Sequence, residues 1–158
     1  MARSLLGCLL CVLVLGACGG GDGSDDEGKI PGGADPAEAQ VIAEWATTLS
    51  EGDVDGAARY FAIPSVAENG PTLIHIRDLD DARLFNATLP CGAELVRAEP
   101  EGDFVVATFR LTERPGPGTC GEGTGGSAQT AFVIEDGRIA EWRRVGIDGS
   151  EQAPSRST

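Results

Sequence analysis

Few side chains in this chain have the chemistry to act on a substrate, and they are scattered. His75 is the one imidazole, the group whose ordinary pKa lies nearest neutrality. It stands in an alternating stretch where Leu73, His75 and Arg77 share one face and Ile74 and Ile76 the other. That places it away from the more apolar face. It is either an acid or base lining a pocket or a solvent-facing, structural histidine. Glu68 is a candidate acid or base for the reason given below. Arg110 shares a face with Phe104, Val106 and Thr108, pointing either into a pocket, where it would bind a carboxylate, or out to solvent. Glu141 and Arg143 alternate with apolar residues, consistent with a pocket ion pair or with a solvated strand. Tyr60, at a helix end, is a phenol donor for a ligand oxyanion or a core aromatic. Trp45 and Trp142 read as core or pocket wall. No Gly-x-Ser-x-Gly elbow, P-loop, dinucleotide fingerprint or metal-ligand spacing occurs, so neither metal nor cofactor is expected.

Composition narrows the classes. The 158 residues are 41% hydrophobic and 23% charged, with 12 Lys+Arg against 25 Asp+Glu and a formal charge of −13. This fits one modest domain with appendages. With no basic cluster, nucleic acid is not an expected partner, because phosphate neutralisation needs cations. Lys29 is the only lysine, which leaves the folded part without a Schiff-base or P-loop lysine.

The first residues read as an address. Arg3 precedes the apolar run Leu5 to Leu15, which is too short to span a bilayer, at roughly 20 residues. Leu15-Gly16-Ala17-Cys18 resembles the bacterial lipobox, implying cleavage before Cys18 and diacylglyceryl attachment to its sulfur. Two acyl chains anchor stably, at about 0.8 kcal/mol per buried methylene. The expected location is the extracytoplasmic face of the cell membrane, held by lipid at Cys18. The expected organisation is a signal peptide at 1–17, a lipidated cysteine and flexible acidic, Gly-rich tether at 18–34, a folded domain at 35–149 and a disordered tail at 150–158.

With Cys8 and Cys11 leaving in the signal and Cys18 lipidated, Cys91 and Cys120 remain. An even pair outside the reducing cytosol suggests a disulfide. A zinc site is the rival, but there is no Cys-x-x-Cys and only one histidine.

These residues must be held by elements that the pattern also predicts. Asp35-Pro36-Ala37-Glu38 has the residues of a capped helix start, and Val41, Ile42, Trp45 and Leu49 follow at helical spacing up to Gly52. Asp53 restarts a shorter helix through Phe61, and Ile63-Pro64 breaks it. Ser65 to Asn69 and Thr72 to Arg77 form a small hairpin about Asn69-Gly70-Pro71. Asp78 caps a third helix with Leu79, Ala82, Phe85 and Leu89 on one face, stopped by Pro90. Strands follow at Cys91 to Glu99, Phe104 to Thr112, Gln129 to Glu135 and Arg138 to Val145, the last two joined by Asp136-Gly137. That turn sets Phe132 opposite Glu141 and Ala131 opposite Trp142, with Phe132, Ile134, Ile139, Glu141 and Arg143 on one face. The Gly/Pro-rich loop Arg114 to Ser127 leaves from the end of the sheet that holds Cys91 and can bend Cys120 back to it.

This order of helix, Glu51-to-Ala57 junction, second helix ending in Tyr60-Phe61-Ala62, short strand, third helix and meander ending Phe132 to Ile139 resembles the NTF2-like superfamily and its small SnoaL-like members. The similarity covers Asp35 to Val145. It implies an α+β cone, helices packed in a curved antiparallel β-sheet around a pocket, often in a homodimer. Relatives include isomerases, cyclases, hydrolases and dehydratases, beside non-catalytic binding domains. Enzymatic members commonly carry an Asp in the strand after the second helix. The matching position here is Asn69, with Glu68 beside it, and an amide is no general base. The expectation is a lipid-anchored module binding a small molecule or partner without catalysis, with Tyr60, Asn69, Arg110 and Glu141 as ligand-binding candidates. The alternative is a SnoaL-like isomerase, lyase or hydrolase using Glu68 or His75.

Overall fold

The computed structural model describes residues 30–146. The proposed signal peptide, Cys18 and the tail lie outside them, as does the tether up to Lys29. The element order is α1 (Pro36–Ser50), α2 (Val54–Ala58), β1 (Phe61–Asn69), β2 (Thr72–Ile76), α3 (Leu79–Thr88), β3 (Gly92–Glu101), β4 (Phe104–Thr112), a 3-10 turn (Gly121–Gly123), β5 (Ser127–Glu135) and β6 (Arg138–Val145). All six strands form one curved sheet in the order β2-β1-β6-β5-β4-β3. Every neighbouring pair is antiparallel except β1 with β6. This is the α+β cone that the family resemblance implies, except that the sheet is mixed where an antiparallel one was expected, because β1 and β6 run the same way.

Each helix begins where a side chain takes up its free N–H groups. Asp35 accepts from the amides of Ala37 and Glu38, Asp53 from Gly56 and Asp78 from Asp81. α1 buries Ala39, Ile42, Trp45, Ala46 and Leu49, the stripe expected from a 3.6-residue period. The core cluster that holds these residues takes in Ala67, Ala98, Val105, Ala107, Phe109, Phe132, Ile139 and Trp142 from the sheet. Five of the core aromatics pack edge to face, Trp45 against Phe61, Phe109 and Phe132, and Phe85 against Phe61, with ring centroids 5.7–6.4 Å apart. Phe85 meets Trp142 at 5.1 Å. The small residues between them let the helices lie close to the curved sheet. On the outer face a smaller apolar cluster forms from Phe104, Val106, Ala131 and Val133.

Three further details depart from the sequence reading. First, Asp136-Gly137 does make the turn, and Glu135 pairs with Arg138 and Ile134 with Ile139 as expected. The register then slips, so that Phe132 faces Trp142, Ala131 faces Arg143 and Val133 faces Glu141. One extra residue on β6, at Ala140–Glu141, is a bulge that changes which side chains share a face. It puts Trp142 in the core beside Phe132 and turns Glu141 and Arg143 outward. Second, β1 begins at Phe61 and runs through Pro64, with a cis Ile63-Pro64 bond where its pairing with β6 is irregular. Proline has no N–H to offer a ladder, and the irregularity is where that matters least. Third, residues 30–34, read as the end of the tether, are docked on β3. Ala98 donates to Pro31 and accepts from Ala34. Gly32 lies so close that a Cβ would sit 2.1 Å from the Ala98 carbonyl oxygen.

The Gly/Pro-rich loop is pinned rather than loose. Cys91 and Cys120 form the disulfide, with Cα atoms 4.5 Å apart. The Glu113 carboxylate accepts from the amides of Cys120 and Gly121 and from the Thr124 hydroxyl. Its pKa is held below the ordinary range by the Thr124 bond first and the two amide bonds next. Arg114 is buried at 7% exposure and donates to the carbonyls of Leu89 and Asn86 at the C-terminus of α3. A cation there offsets the negative end of the helix. Burial lowers its pKa.

Candidate functional site

The helix-bearing face of the sheet is not filled along its whole length. Between the C-terminal ends of α1 and α3, the sheet and the pinned loop lies a cavity of about 260 Å3. Its walls are mainly apolar: Trp45 and Leu49 from α1, Leu89 and Pro90 after α3, Ala93 from β3, Phe109 and Leu111 from β4, Ala128 from β5 and Trp142 from β6. Cys91 and Gly123 bring the disulfide-tethered loop to its rim. Trp45 is fixed by its indole N–H, which donates to the buried Asn86 Oδ1 at 2.9 Å, and Asn86 in turn donates to the Ala82 carbonyl. One wall is therefore rigidly placed.

Three of the lining side chains are polar groups on one row of the sheet. Thr130 on β5 faces Arg144 on β6. Glu68 aligns with Arg143 in the parallel β1–β6 pairing, so continuing that register by one residue sets Asn69 beside Arg144. All three line the cavity. Trp142, also on the wall, has a buried indole N–H without a hydrogen-bond partner, and Ser65 Oγ is likewise buried and unpartnered.

The candidates named from the sequence do not converge. Asn69 lines the cavity. Glu68 lies on the opposite face, where Arg143 bridges it at 2.7 Å and Glu141 at 2.8 Å, with the guanidinium 6.0 Å from the Phe104 ring centroid. Glu141 is thus in an outer-face ion cluster and not at the cavity. His75 pairs with Val66 on β1 and is exposed on that same outer face. Arg110 is exposed on β4, one residue out of phase with the cavity-lining Phe109 and Leu111. Tyr60 borders a different, polar hollow with Asp53, Arg59, Asp136 and Arg138. The alternation of β1 accounts for the split between Glu68 and Asn69: neighbours in a strand point to opposite faces. Arg144 was missed from the sequence because its facing depends on the β6 bulge, whereas Thr130 was within reach of the β5 alternation, which sets it on the face of Phe132. Among the described residues no group of three or more His, Cys, Asp or Glu is arranged to hold a metal ion.

No protein-family model and no curated protein matches the chain significantly. Solved structures do. A protein named as a candidate polyketide cyclase from Sinorhizobium meliloti superposes with a TM-score of 0.53 at 18% identity, covering 67% of this chain and 94% of that one. An NTF2-like protein of unknown function from Cytophaga hutchinsonii gives 0.52 at 11% identity, covering 68% and 88%. A candidate ketosteroid isomerase from Kribbella flavida gives 0.50 at 15% identity, covering 75% and 91%. The chain therefore has the NTF2-like cone fold. At these identities the likeness extends to architecture, and activity has to be argued from the site.

Proposed function

We propose that this protein is a lipid-anchored, extracytoplasmic NTF2-like domain that binds a small, largely apolar organic molecule in the cone without chemically transforming it. The observation that carries this reading is the lining of the cavity: two tryptophans, a phenylalanine and several aliphatic side chains surround it, and Asn69 stands where the resemblance implies a carboxylate in enzymatic members. General acid–base chemistry needs a titrating group within hydrogen-bond reach of the substrate. Glu68 and His75 are turned to the other face of the sheet. An apolar cavity with a few convergent polar groups is the usual form of a small-molecule site, and at about 260 Å3 this one falls just below the roughly 300–1,000 Å3 range, which points to a small ligand.

The reading is tested by an NMR titration of the protein with a set of one- and two-ring fragments. It expects saturable shifts at the Trp45 and Trp142 indoles, with Ala93, Ala128 and Thr130 following. Absence of saturable shifts at those positions across the set would defeat it. The membrane part of the proposal rests on the lipobox resemblance at Cys18. Palmitate labelling should occur in the wild type and vanish in Cys18→Ala; equal labelling would refute it.

A further inference from the structure

We infer that the cavity is selective for a compact organic anion, an apolar ring body bearing a carboxylate or a similar oxyanion, with Arg144 as its charge partner. This rests on the proposed small-molecule binding and specifies its chemistry. Arg144 is the sole ionisable side chain among the lining residues. In a chain with 25 acidic residues against 12 basic ones, guanidinium groups would be expected to find carboxylates. Arg77, Arg83, Arg97 and Arg143 do so; Arg59, Arg110, Arg114 and Arg144 pair with no carboxylate among the described residues, and of these four only Arg144 lines the cavity. It is kept out of the outer-face cluster by the strand alternation that turns Arg143 toward Glu68 and Glu141 and sets Arg144, itself exposed, at the open mouth of the cavity.

The neighbours of Arg144 suit the same ligand. Thr130 is only 4% exposed, yet its hydroxyl makes no hydrogen bond to the described protein, and the Asn69 amide makes none either. The Thr130 hydroxyl is not one of the sealed, unpartnered atoms and Asn69 is half-buried, so both groups are reachable from the cavity. Here two uncharged donors flank a guanidinium on adjacent strands at the edge of an apolar chamber. A guanidinium fork matches the two oxygens of a carboxylate, and its hydrogen bonds to an ionised acceptor are stronger than neutral ones. The apolar remainder would lie between Trp45, Leu49, Phe109 and Trp142. A cavity of about 260 Å3 suits a one- or two-ring acid. Binding is non-covalent and involves no bond making or breaking.

The experiment measures dissociation constants of 2-naphthoate and of its uncharged isostere 2-naphthamide, by calorimetry, for the purified full chain and for Arg144→Gln. The expected result is naphthoate binding about tenfold tighter than naphthamide, with Arg144→Gln removing that preference while naphthamide affinity stays within about twofold. Equal affinity of the two ligands, or a naphthoate preference that survives Arg144→Gln, would overturn the anion selectivity and leave cavity binding standing. Binding of neither ligand would overturn both. Thr130→Val serves as a second variant, since it keeps the shape of the side chain. It should weaken naphthoate about threefold or more with naphthamide less affected, and an unchanged ratio would remove Thr130 from the site.

Discussion

Replacing both cysteines of the Cys91–Cys120 bond with alanine should lower the unfolding free energy by about 3–4 kcal/mol. The bond joins residues 29 apart in sequence. In the chain-entropy treatment a loop of about 30 residues restricts the unfolded ensemble by roughly 3.6 kcal/mol at 25 °C. The folded state should change little on losing the bond. Glu113 still holds the Cys120–Thr124 turn, and Arg114 still ties the start of the loop to the end of α3. The loss therefore acts almost wholly through the unfolded chain. Against a total stability of about 5–15 kcal/mol for an ordinary domain, it is a large fraction. For a domain of this size it corresponds to a fall in Tm of roughly 10–20 °C. Guanidinium unfolding of the wild type and of Cys91→Ala/Cys120→Ala, followed by circular dichroism, measures it. A difference below about 1 kcal/mol, or a thermal midpoint that reducing agent leaves unmoved, would refute the reasoning.

Other expectations follow from single groups. Arg114→Met removes the donors to the Leu89 and Asn86 carbonyls and should cost about 2–3 kcal/mol, read by the same unfolding curves. Phe85→Ala empties a core position between Phe61 and Trp142 and should cost about 3–5 kcal/mol; a loss under 1 kcal/mol would contradict the packing. Trp45→Phe leaves the Asn86 Oδ1 acceptor without its buried indole donor and should cost about 1–3 kcal/mol, with the cavity wall loosened. Glu113 is a depressed carboxylate, so its stabilisation is present above the ordinary Glu pKa and is lost as pH falls through its lower folded value. In Glu113→Gln, the gap in thermal midpoint from wild type should be widest near neutral pH and close below about pH 4. A gap that stays constant with pH would show that the carboxylate's charge is not what holds the turn.

The elements were legible wherever local chemistry dictates them. The aspartates before α1, α2 and α3 have a cap's short acceptor side chain, and Asp136-Gly137 supplies a turn whose backbone needs positive φ at both positions. The Cys91–Cys120 pairing followed from counting and from the end of the sheet at which the loop departs. What was hidden is non-local. Nothing in Arg138 to Val145 announces an extra residue opposite Val133, and that residue decides whether Glu141 or Arg144 meets the cavity. Glu68 is a carboxylate next to Asn69, the position at which the resemblance implies one, but a strand turns successive side chains apart. Arg114 sat in a segment whose glycines and prolines suggested only a loop, while its value as a helix C-terminal partner depends on where α3 ends in space. The docking of residues 30–34 on β3 uses backbone groups and the packing of Ile30 and Ala34 against the core; the backbone part carries no sequence signal apart from Gly32, and a lone Ile30 beside a Gly-rich stretch is a weak one.

The central claim is that the cone holds a small ligand between the tryptophans and the Asn69–Arg144–Thr130 row. A crystal structure of the protein grown with 2-naphthoate tests it most directly. The account predicts the ring system in the cavity against Trp45 and Trp142, with the carboxylate within hydrogen-bond distance of the Arg144 guanidinium. A cavity closed by the side chains of Leu49 and Leu89, or a naphthoate seated on another surface, would contradict it.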